Sequence, residues 1–136
     1  MDRWQSDVKF FHEKFGIPIL SQPSIPSEER KQLRQSLIQE EYMELMGAMD
    51  DQNMPEIADA MADLIYVILG TALEYGVDLD PIWKEVQMSN MRKEGGAKNE
   101  LGKLLKPPGW TPPDVYTKLV SQGWRYPKHG VPQDRL

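Results

Sequence analysis

Two groups of carboxylates lie at helical spacing in the middle of the sequence. The first group is Glu40, Glu41 and Glu44, and the second is Glu56, Asp59 and Asp63. Residues three or four positions apart share one face of a helix, so each group predicts an acidic stripe on a helical surface. Like charges within a stripe repel each other, and their convergence would require a counter-charge.

The sequence supplies no basic residue near these stripes. No lysine or arginine occurs between Gln35 and Trp83, whereas the segment from Lys84 onward is rich in both. A metal ion is therefore the natural counter-charge, and all-carboxylate sites suit hard divalent cations. We expect Mg²⁺, with Mn²⁺ as the alternative. Such ions neutralise phosphate charge and activate a bound water, which is the chemistry of phosphoanhydride hydrolysis.

The two stripes are predicted to face each other across an antiparallel pair of helices. A short connection near residue 52 joins the helices, which places Glu44 opposite Asp63. The other carboxylates expected close to the same space are Glu40, Glu41 and Asp59. Glu56 falls about a helical turn or more away, because each residue rises about 1.5 Å along the axis.

Simpler roles for these carboxylates stay open. Acidic stripes on helices are commonly solvated surfaces, although such surfaces usually carry lysines three or four residues away. Residues 53–56 also fit a capping box, in which Asn53 caps the helix and the Glu56 side chain bonds back to the Asn53 amide. Asp50 and Asp51 are predicted to be turn residues.

Apolar periodicity and capping residues predict an all-α fold. The helices are expected at residues 2–15, from 28 to about 49, from about 54 to 75, and from about 81 to 93. Asp80 followed by Pro81 predicts the N-cap of the fourth helix with proline at its first position. Residues 111–114 predict the start of a short last helix.

The long polar segment at residues 94–110 is predicted to be a loop, because glycines, lysines and paired prolines dominate it. Loops of this length are uncommon in compact domains and are often functional. We expect a single domain at residues 1–122, followed by a weakly ordered tail at residues 123–136.

Composition limits the class of protein further. A chain of 136 residues without cysteine suits one domain in a reducing compartment, so we expect the cytoplasm. We expect no leader peptide, and the longest apolar run, near residues 64–73, is predicted to be too short to cross a membrane. The net charge of −5 argues against binding to nucleic acid. His12 is expected either to pack within the fold or to line a base pocket.

Four segments resemble the MazG-like nucleotide pyrophosphohydrolases, a superfamily that includes dimeric dUTPases and phosphoribosyl-ATP pyrophosphohydrolases. Residues 40–44 read Glu-Glu-Tyr-Met-Glu and match the family's Glu-Glu-x-x-Glu. Residues 63–67, Asp-Leu-Ile-Tyr-Val, are similar to the end of its second motif, Glu-x-x-Asp with an apolar continuation. Residues 90–93 resemble its Asn-x-x-Lys, and residues 102–110 are similar to a lysine-rich loop of one branch. The similarity covers roughly residues 4–119.

One position departs from the family pattern. Ala60 stands where the second-helix glutamate is expected, while residues 56–59 spell Glu-x-x-Asp one turn earlier. Two alignments are therefore open. In the preferred one, Asp63 is the motif's aspartate and Asp59 takes the place of the missing glutamate.

The resemblance implies a MazG-like four-helix core with a short extra C-terminal helix, assembled as a homodimer or a dimer of dimers. It implies Mg²⁺-dependent hydrolysis of (deoxy)nucleoside triphosphates to monophosphate and pyrophosphate. The metal ligands would be Glu41, Glu44 and Asp63, with Asp59, Glu40 and Glu56 as further candidates. Glu40 and Glu41 are the candidate catalytic residues. The candidate substrate-binding residues are Asn90, Lys93, Lys103, Lys106, Trp110 and His12.

Other interpretations stay open. The basic residues could be solvated surface lysines, and Trp110 could tether the loop instead of stacking on a base. The chain could be a phosphoribosyl-ATP pyrophosphohydrolase, a non-catalytic helical module that binds a nucleotide or metal, or a structural adaptor. The sequence does not reveal the base or the sugar.

Overall fold

The computed structural model describes residues 1–125, and helices account for all of the regular structure in that part of the chain. Five helices follow one another: α1 (Arg3–Phe15), α2 (Glu28–Asp50), α3 (Met54–Glu74), α4 (Leu79–Met91) and α5 (Val115–Ser121). Over these described residues a single isolated bridge joins Lys98 and Leu104. The predicted all-α fold, with four longer helices and a short fifth, is confirmed.

Short polar residues cap the first three helices, and the cap at Asn53 is the one predicted above. The Asp2 side chain accepts from Gln5 N, that of Ser27 accepts from Arg30 N, and that of Asn53 accepts from Glu56 N. These bonds satisfy backbone amides that have no partner within the helix. Gly16 follows α1 at a φ of 67°, a conformation that glycine adopts without steric cost.

The start of α4 differs from the prediction. The helix begins at Leu79, so Asp80 lies within the first turn and does not cap it. The reason is a long-range contact: Leu79 N donates to Gln5 Oε1 (2.9 Å), and Gln5 Nε2 donates to Val77 O (2.7 Å). Gln5, a fully buried residue of α1, thus accepts a hydrogen bond from the first residue of α4 and takes the capping role predicted for Asp80.

Residues Met1–Leu79 form one compact unit, in which α2 and α3 are an antiparallel pair and α1 packs against α3. The α2–α3 connection is short, and Gln52 adopts a positive φ of 53° within it. The most buried apolar side chains of this unit are Val8, Ala48, Ala60, Ala72 and Leu73. Small residues at the helix contacts allow the two backbones to approach closely.

A polar cluster also lies inside this unit. Glu74 accepts hydrogen bonds from Arg30 Nε (2.7 Å) and Arg34 Nη1 (2.9 Å), and its side chain is 1% exposed. Arg34 Nη2 donates to Val67 O (2.8 Å), and Arg34 Nε donates to Thr71 Oγ1 (3.0 Å). Charges buried in this way stabilise a fold only when their hydrogen bonds are satisfied, as they are here.

The second unit runs from Asp80 onward and contains most of α4, the long loop and α5. The predicted loop has internal structure, because Asn99 Oδ1 accepts from both Leu101 N and Lys103 N. Trp124, at the start of the predicted weak tail, is buried. The rest of that tail, residues 126–136, lies outside the described residues. The domain limits stay a prediction.

None of the helices in the described part of the chain combines the length and apolar character needed to cross a membrane.

Candidate functional site

Three of the predicted carboxylates converge between α2 and α3. Glu41 and Glu44 come from α2, Asp63 comes from α3, and each offers one oxygen within 4.8 Å of those of the other two. The helical spacing places Glu41 and Glu44 on one face, and the antiparallel pairing of α2 with α3 brings Asp63 level with them. The sequence-based expectation that Glu44 lies opposite Asp63 therefore agrees with the structure.

The electrostatic state of this cluster is unfavourable without a cation. Burial, then contact with Glu44, then the charges of Asp63 and Glu40 raise the pKa of Glu41. Burial, then the charges of Asp59 and Glu44, raise the pKa of Asp63. Both shifts disfavour the charged carboxylate, which is the result expected when like charges share a partly buried space.

The cluster has the properties of a site for a hard divalent cation. Glu41 Oε2 is buried and has no hydrogen-bond partner among the described residues. No lysine or arginine in the described range forms an ion pair with Glu41, Glu44 or Asp63. An orphaned carboxylate oxygen beside two further carboxylates fits Mg²⁺ or Mn²⁺, which prefer oxygen ligands.

The remaining predicted acidic ligands lie around this cluster. Glu40 is exposed, and its charge contributes to the raised pKa of Glu41. Asp59 and Glu56 are exposed as well, and with Glu44 they line a pocket of about 420 Å³ between α2 and α3. They are thus near Glu44 but outside the group of three whose oxygens converge.

The predicted capping box at the start of α3 forms only in part. Asn53 Oδ1 accepts from Glu56 N (3.3 Å), as expected for the N-cap. The reciprocal bond is replaced, because Asn53 N donates to Ala48 O (3.2 Å). The backbone turn satisfies the Asn53 amide, which leaves the Glu56 carboxylate facing the pocket.

Ala60, the position that departs from the family pattern, is buried and lines the same pocket. A methyl group therefore occupies a place from which a longer acidic side chain would reach toward Glu44. Asp59 and Glu56 are the carboxylates that border the space left there.

His12 lies in the interior of the first unit. Its side chain is 2% exposed, Nδ1 donates to Pro18 O (3.1 Å), and burial is the largest cause of its lowered pKa. A β-carbon placed on Gly70 would lie 2.9 Å from His12 Nε2 and 2.7 Å from Arg34 Nη2. Of the two roles expected for His12, packing within the fold matches this position.

The predicted basic residues belong to the second unit. Lys93 Nζ and Lys106 Nζ lie over the Trp110 ring, 5.6 Å and 4.9 Å from its centroid. Trp110 Nε1 donates to Ser89 O (2.7 Å), which ties the loop to α4. Asn90 and Lys103 are exposed. The structure brings Lys93, Lys106 and Trp110 together, and the predicted tether at Trp110 is present.

Two features were missed by reasoning from the sequence. Arg92 and Glu94 line a pocket of about 680 Å³ beside Trp110, a position that their types alone do not indicate. The buried pair of Arg34 and Glu74 had a signal in the sequence, because Glu74 is a lone carboxylate at the end of the apolar run of α3.

Comparisons with known proteins indicate the family of this chain. Residues 8–90 match the family model of phosphoribosyl-ATP pyrophosphohydrolase, a range that includes every predicted acidic ligand and ends at Asn90. The chain is also similar to an uncharacterized protein of Acanthamoeba polyphaga mimivirus, 44% identical over 48 residues. That similarity covers 35% of this chain and 19% of the viral protein, so the chain spans only a small part of that relative.

The match to the family model covers more than half of the sequence and confirms the resemblance drawn from the motifs. Lys93, Lys103, Lys106 and Trp110 lie beyond the matched range. The functional assignment of all the candidate site residues stays a prediction. The chain belongs to the phosphoribosyl-ATP pyrophosphohydrolase family, within the MazG-like all-α superfamily of pyrophosphohydrolases that act on phosphoanhydride bonds.

Proposed function

We propose that the chain hydrolyses the bond between the α- and β-phosphates of a nucleoside 5′-triphosphate group and releases pyrophosphate. The observation that carries the proposal is the convergence of Glu41, Glu44 and Asp63, with one oxygen from each within 4.8 Å of the others. Family membership supports the reaction class, and the convergence of these carboxylates supports a metal site for it at this position.

Glu41, Glu44 and Asp63 would hold the divalent cation, which we expect to be Mg²⁺ with Mn²⁺ as an alternative. When bound, such an ion neutralises phosphate charge and lowers the pKa of a water molecule. The unpaired Glu41 Oε2 supports this assignment, because a buried carboxylate oxygen without a partner is costly unless a ligand satisfies it. Asp59 and Glu56 are the further candidate ligands on the pocket side of Glu44.

Glu40 is the carboxylate best suited to accept the proton from the attacking water. It adjoins the cluster without belonging to it, and its exposed side chain is free to reorient. In the proposed step, the water oxygen bonds to one phosphorus of the phosphoanhydride while the bond from that phosphorus to the bridging oxygen breaks. The water proton passes to Glu40, and pyrophosphate and a monophosphate are the products.

Two substrates share the required group. The family match favours phosphoribosyl-ATP, whereas the motifs at residues 40–44 and 90–93 resemble those of MazG-like enzymes acting on free (deoxy)nucleoside triphosphates. Both carry a triphosphate on a nucleoside, so the same carboxylates would serve either. Lys93 and Lys106, which lie over the Trp110 ring, are proposed to contact phosphate, together with Asn90 and Lys103.

We also propose that the chain forms a homodimer or homotetramer. The α2–α3 pair exposes several large apolar side chains, and their exposure to water is unfavourable. They are Tyr42, Met43, Met61, Ile65, Tyr66 and Ile68. Tyr42, Met43 and Ile68 line one apolar pocket, and Met61, Ile65 and Tyr66 line another. Exposed apolar surface of this kind commonly marks a contact with another chain. Light scattering of the purified protein tests the proposal, and a monomer at micromolar concentration would contradict it.

The substrate is tested by incubating the protein with Mg²⁺ and either phosphoribosyl-ATP or a panel of canonical NTPs and dNTPs, with ³¹P NMR identifying the products. We expect pyrophosphate and a monophosphate from at least one of them. Inorganic phosphate and a diphosphate would contradict the proposed bond. Binding without any turnover would favour the non-catalytic module.

A further inference from the structure

Two lysines from different segments of the second unit share the Trp110 ring as a contact. Lys93 follows the end of α4, Lys106 lies near the far end of the loop, and both ammonium groups lie over the Trp110 ring. Both distances to the ring centroid, 5.6 Å and 4.9 Å, fall within the range of a cation–π interaction. The ring is therefore the shared partner of two cations that repel each other.

The tryptophan is itself fixed from two directions. Its Nε1 donates to the carbonyl of Ser89, which is buried on α4, and its backbone N donates to Pro107 O (3.1 Å). An indole restrained at both its edge and its backbone has little freedom to turn. It can therefore set the positions of flexible lysine side chains.

The base of the loop is closed independently of Trp110. Leu105 N donates to Ala97 O (2.7 Å), and the Gly96 backbone approaches Leu105 O so closely that an added β-carbon would clash with that oxygen. This contact keeps the chain leading into Lys106 next to the residues that follow α4. The closed base of the loop and the Trp110 ring therefore both restrict the position of Lys106.

Neither lysine is neutralised within the described range, because no carboxylate there forms an ion pair with Lys93 or Lys106. Trp110 also borders the pocket of about 680 Å³, whose charged lining residues are Arg92 and Glu94. Two unpaired ammonium groups held at one ring, with an arginine nearby, favour a ligand with several negative charges.

We propose that Trp110 is a positioning residue that holds Lys93 and Lys106 together as a binding pair for pyrophosphate or the pyrophosphate portion of a substrate. This inference rests on the proposed function for its biological meaning, but it concerns the binding of the polyphosphate group and not its cleavage. It predicts that Trp110 acts through the two lysines and makes no contribution of its own to the bond that breaks.

The test is calorimetric titration of the full chain with inorganic pyrophosphate, in the absence of divalent metal so that the acidic cluster does not contribute. Replacing Lys106 with alanine or Trp110 with leucine is expected to weaken binding about tenfold, which is the loss of one charge-assisted contact. The matched control is Trp83→Leu, which replaces an α4 tryptophan that is 70% exposed, and it should bind like the wild type.

Comparing the binding losses of single and combined variants distinguishes a role of Trp110 in positioning the lysines from a general role in stabilising the fold. The triple variant Trp110→Leu, Lys93→Ala, Lys106→Ala should bind pyrophosphate no more weakly than the double variant Lys93→Ala, Lys106→Ala. This is expected because Trp110 is proposed to act only through the two lysines. Trp110→Phe keeps an aromatic face but loses the bond to Ser89, so it should bind with intermediate affinity. It also tests the proposal if the leucine variant fails to fold.

The inference is overturned if wild-type protein does not bind pyrophosphate, if Trp110→Leu or Trp110→Phe binds as the wild type does, or if the losses from Trp110 and the lysines simply add. Failure of the proposed function has a different signature: no substrate would be hydrolysed by a protein that still binds pyrophosphate in a Trp110-dependent manner. If hydrolysis is present, Trp110→Phe should raise KM and leave kcat nearly unchanged.

Discussion

Arg34 and Glu74 form a buried ion pair across α2 and α3, with 2.9 Å between Arg34 Nη1 and Glu74 Oε2. The two side chains are 7% and 1% exposed. The pair lies at the end of the two helices that is remote from their connection, so the acidic cluster falls between the ion pair and the turn. The alignment of Glu41 and Glu44 with Asp63 therefore depends on contacts at both ends.

Replacing Glu74 with glutamine is expected to destabilise the protein by about 3–5 kcal/mol, because two arginines lose their counter-charge and Arg34 stays buried. Urea denaturation followed by circular dichroism measures the change in the free energy of unfolding. Glu29→Gln, at an exposed position in the first turn of α2, is the control. A loss no larger than that of the control would show that the pair does not hold the helices together.

Gly70→Ala is expected to cost about 1–3 kcal/mol through overpacking. The added β-carbon would lie 2.7 Å from Arg34 Nη2 and 2.9 Å from His12 Nε2, and the hydrogen bonds of Arg34 prevent it from moving away. Gly47→Ala is the matched control on α2, because nothing lies within 4 Å of its β-carbon. That variant should gain up to about 1 kcal/mol from helix propensity. Equal effects of the two substitutions would contradict the described contacts.

The stability of the protein is expected to depend on pH through the protonation of His12. Burial lowers its pKa in the folded state below the value of 6.5 expected for the unfolded chain. The unfolded state therefore binds more protons as the pH falls below about 6.5, and folding is weakened by at most about 1.4 kcal/mol per pH unit down to the folded-state pKa. Above pH 6.5 this contribution to stability is fully present.

The measurement is urea denaturation of the wild type and His12→Gln between pH 8 and pH 5. The difference in slope between them isolates His12, since His129 is present in both proteins. Parallel curves would mean that His12 titrates equally in the folded and unfolded states.

Removing one charge from the acidic cluster is expected to have opposite effects with and without metal. In the presence of a chelator, Glu41→Gln and Asp63→Asn should raise the melting temperature, because the raised pKa of each carboxyl reports an unfavourable charged form. Mg²⁺ or Mn²⁺ should stabilise the wild type by about 2.7 kcal/mol at a hundred times its Kd, and should stabilise the variants much less. Unchanged melting of the wild type on addition of either ion would contradict a metal site.

Local features of this fold could be predicted from the sequence, whereas distant contacts could not. Asn53 could be recognised as an N-cap because the bond it accepts comes from Glu56, three positions later. The start of α4 was misplaced, because Gln5 reaches it from the other end of the first unit.

The same distinction applies to the candidate site. Glu41, Glu44 and Asp63 were predictable, since helical spacing and one short turn determine their alignment. The stacking of Lys93 and Lys106 on Trp110 was not, because it depends on how a long loop folds back on α4. Side chains that meet through a loop leave no periodic signal in the sequence.

The cluster of Glu41, Glu44 and Asp63 is proposed to carry out metal-dependent release of pyrophosphate. The most direct measurement is the rate of pyrophosphate release with Mg²⁺ from the preferred substrate, by the wild type and by Glu44→Ala. Glu44 is exposed, so its removal should leave the fold intact, and Glu29→Gln serves as the control on the same helix. We predict that Glu44→Ala lowers the rate by about 100-fold or more while the control keeps it. Pyrophosphate release by Glu44→Ala at the rate of the control would contradict the account.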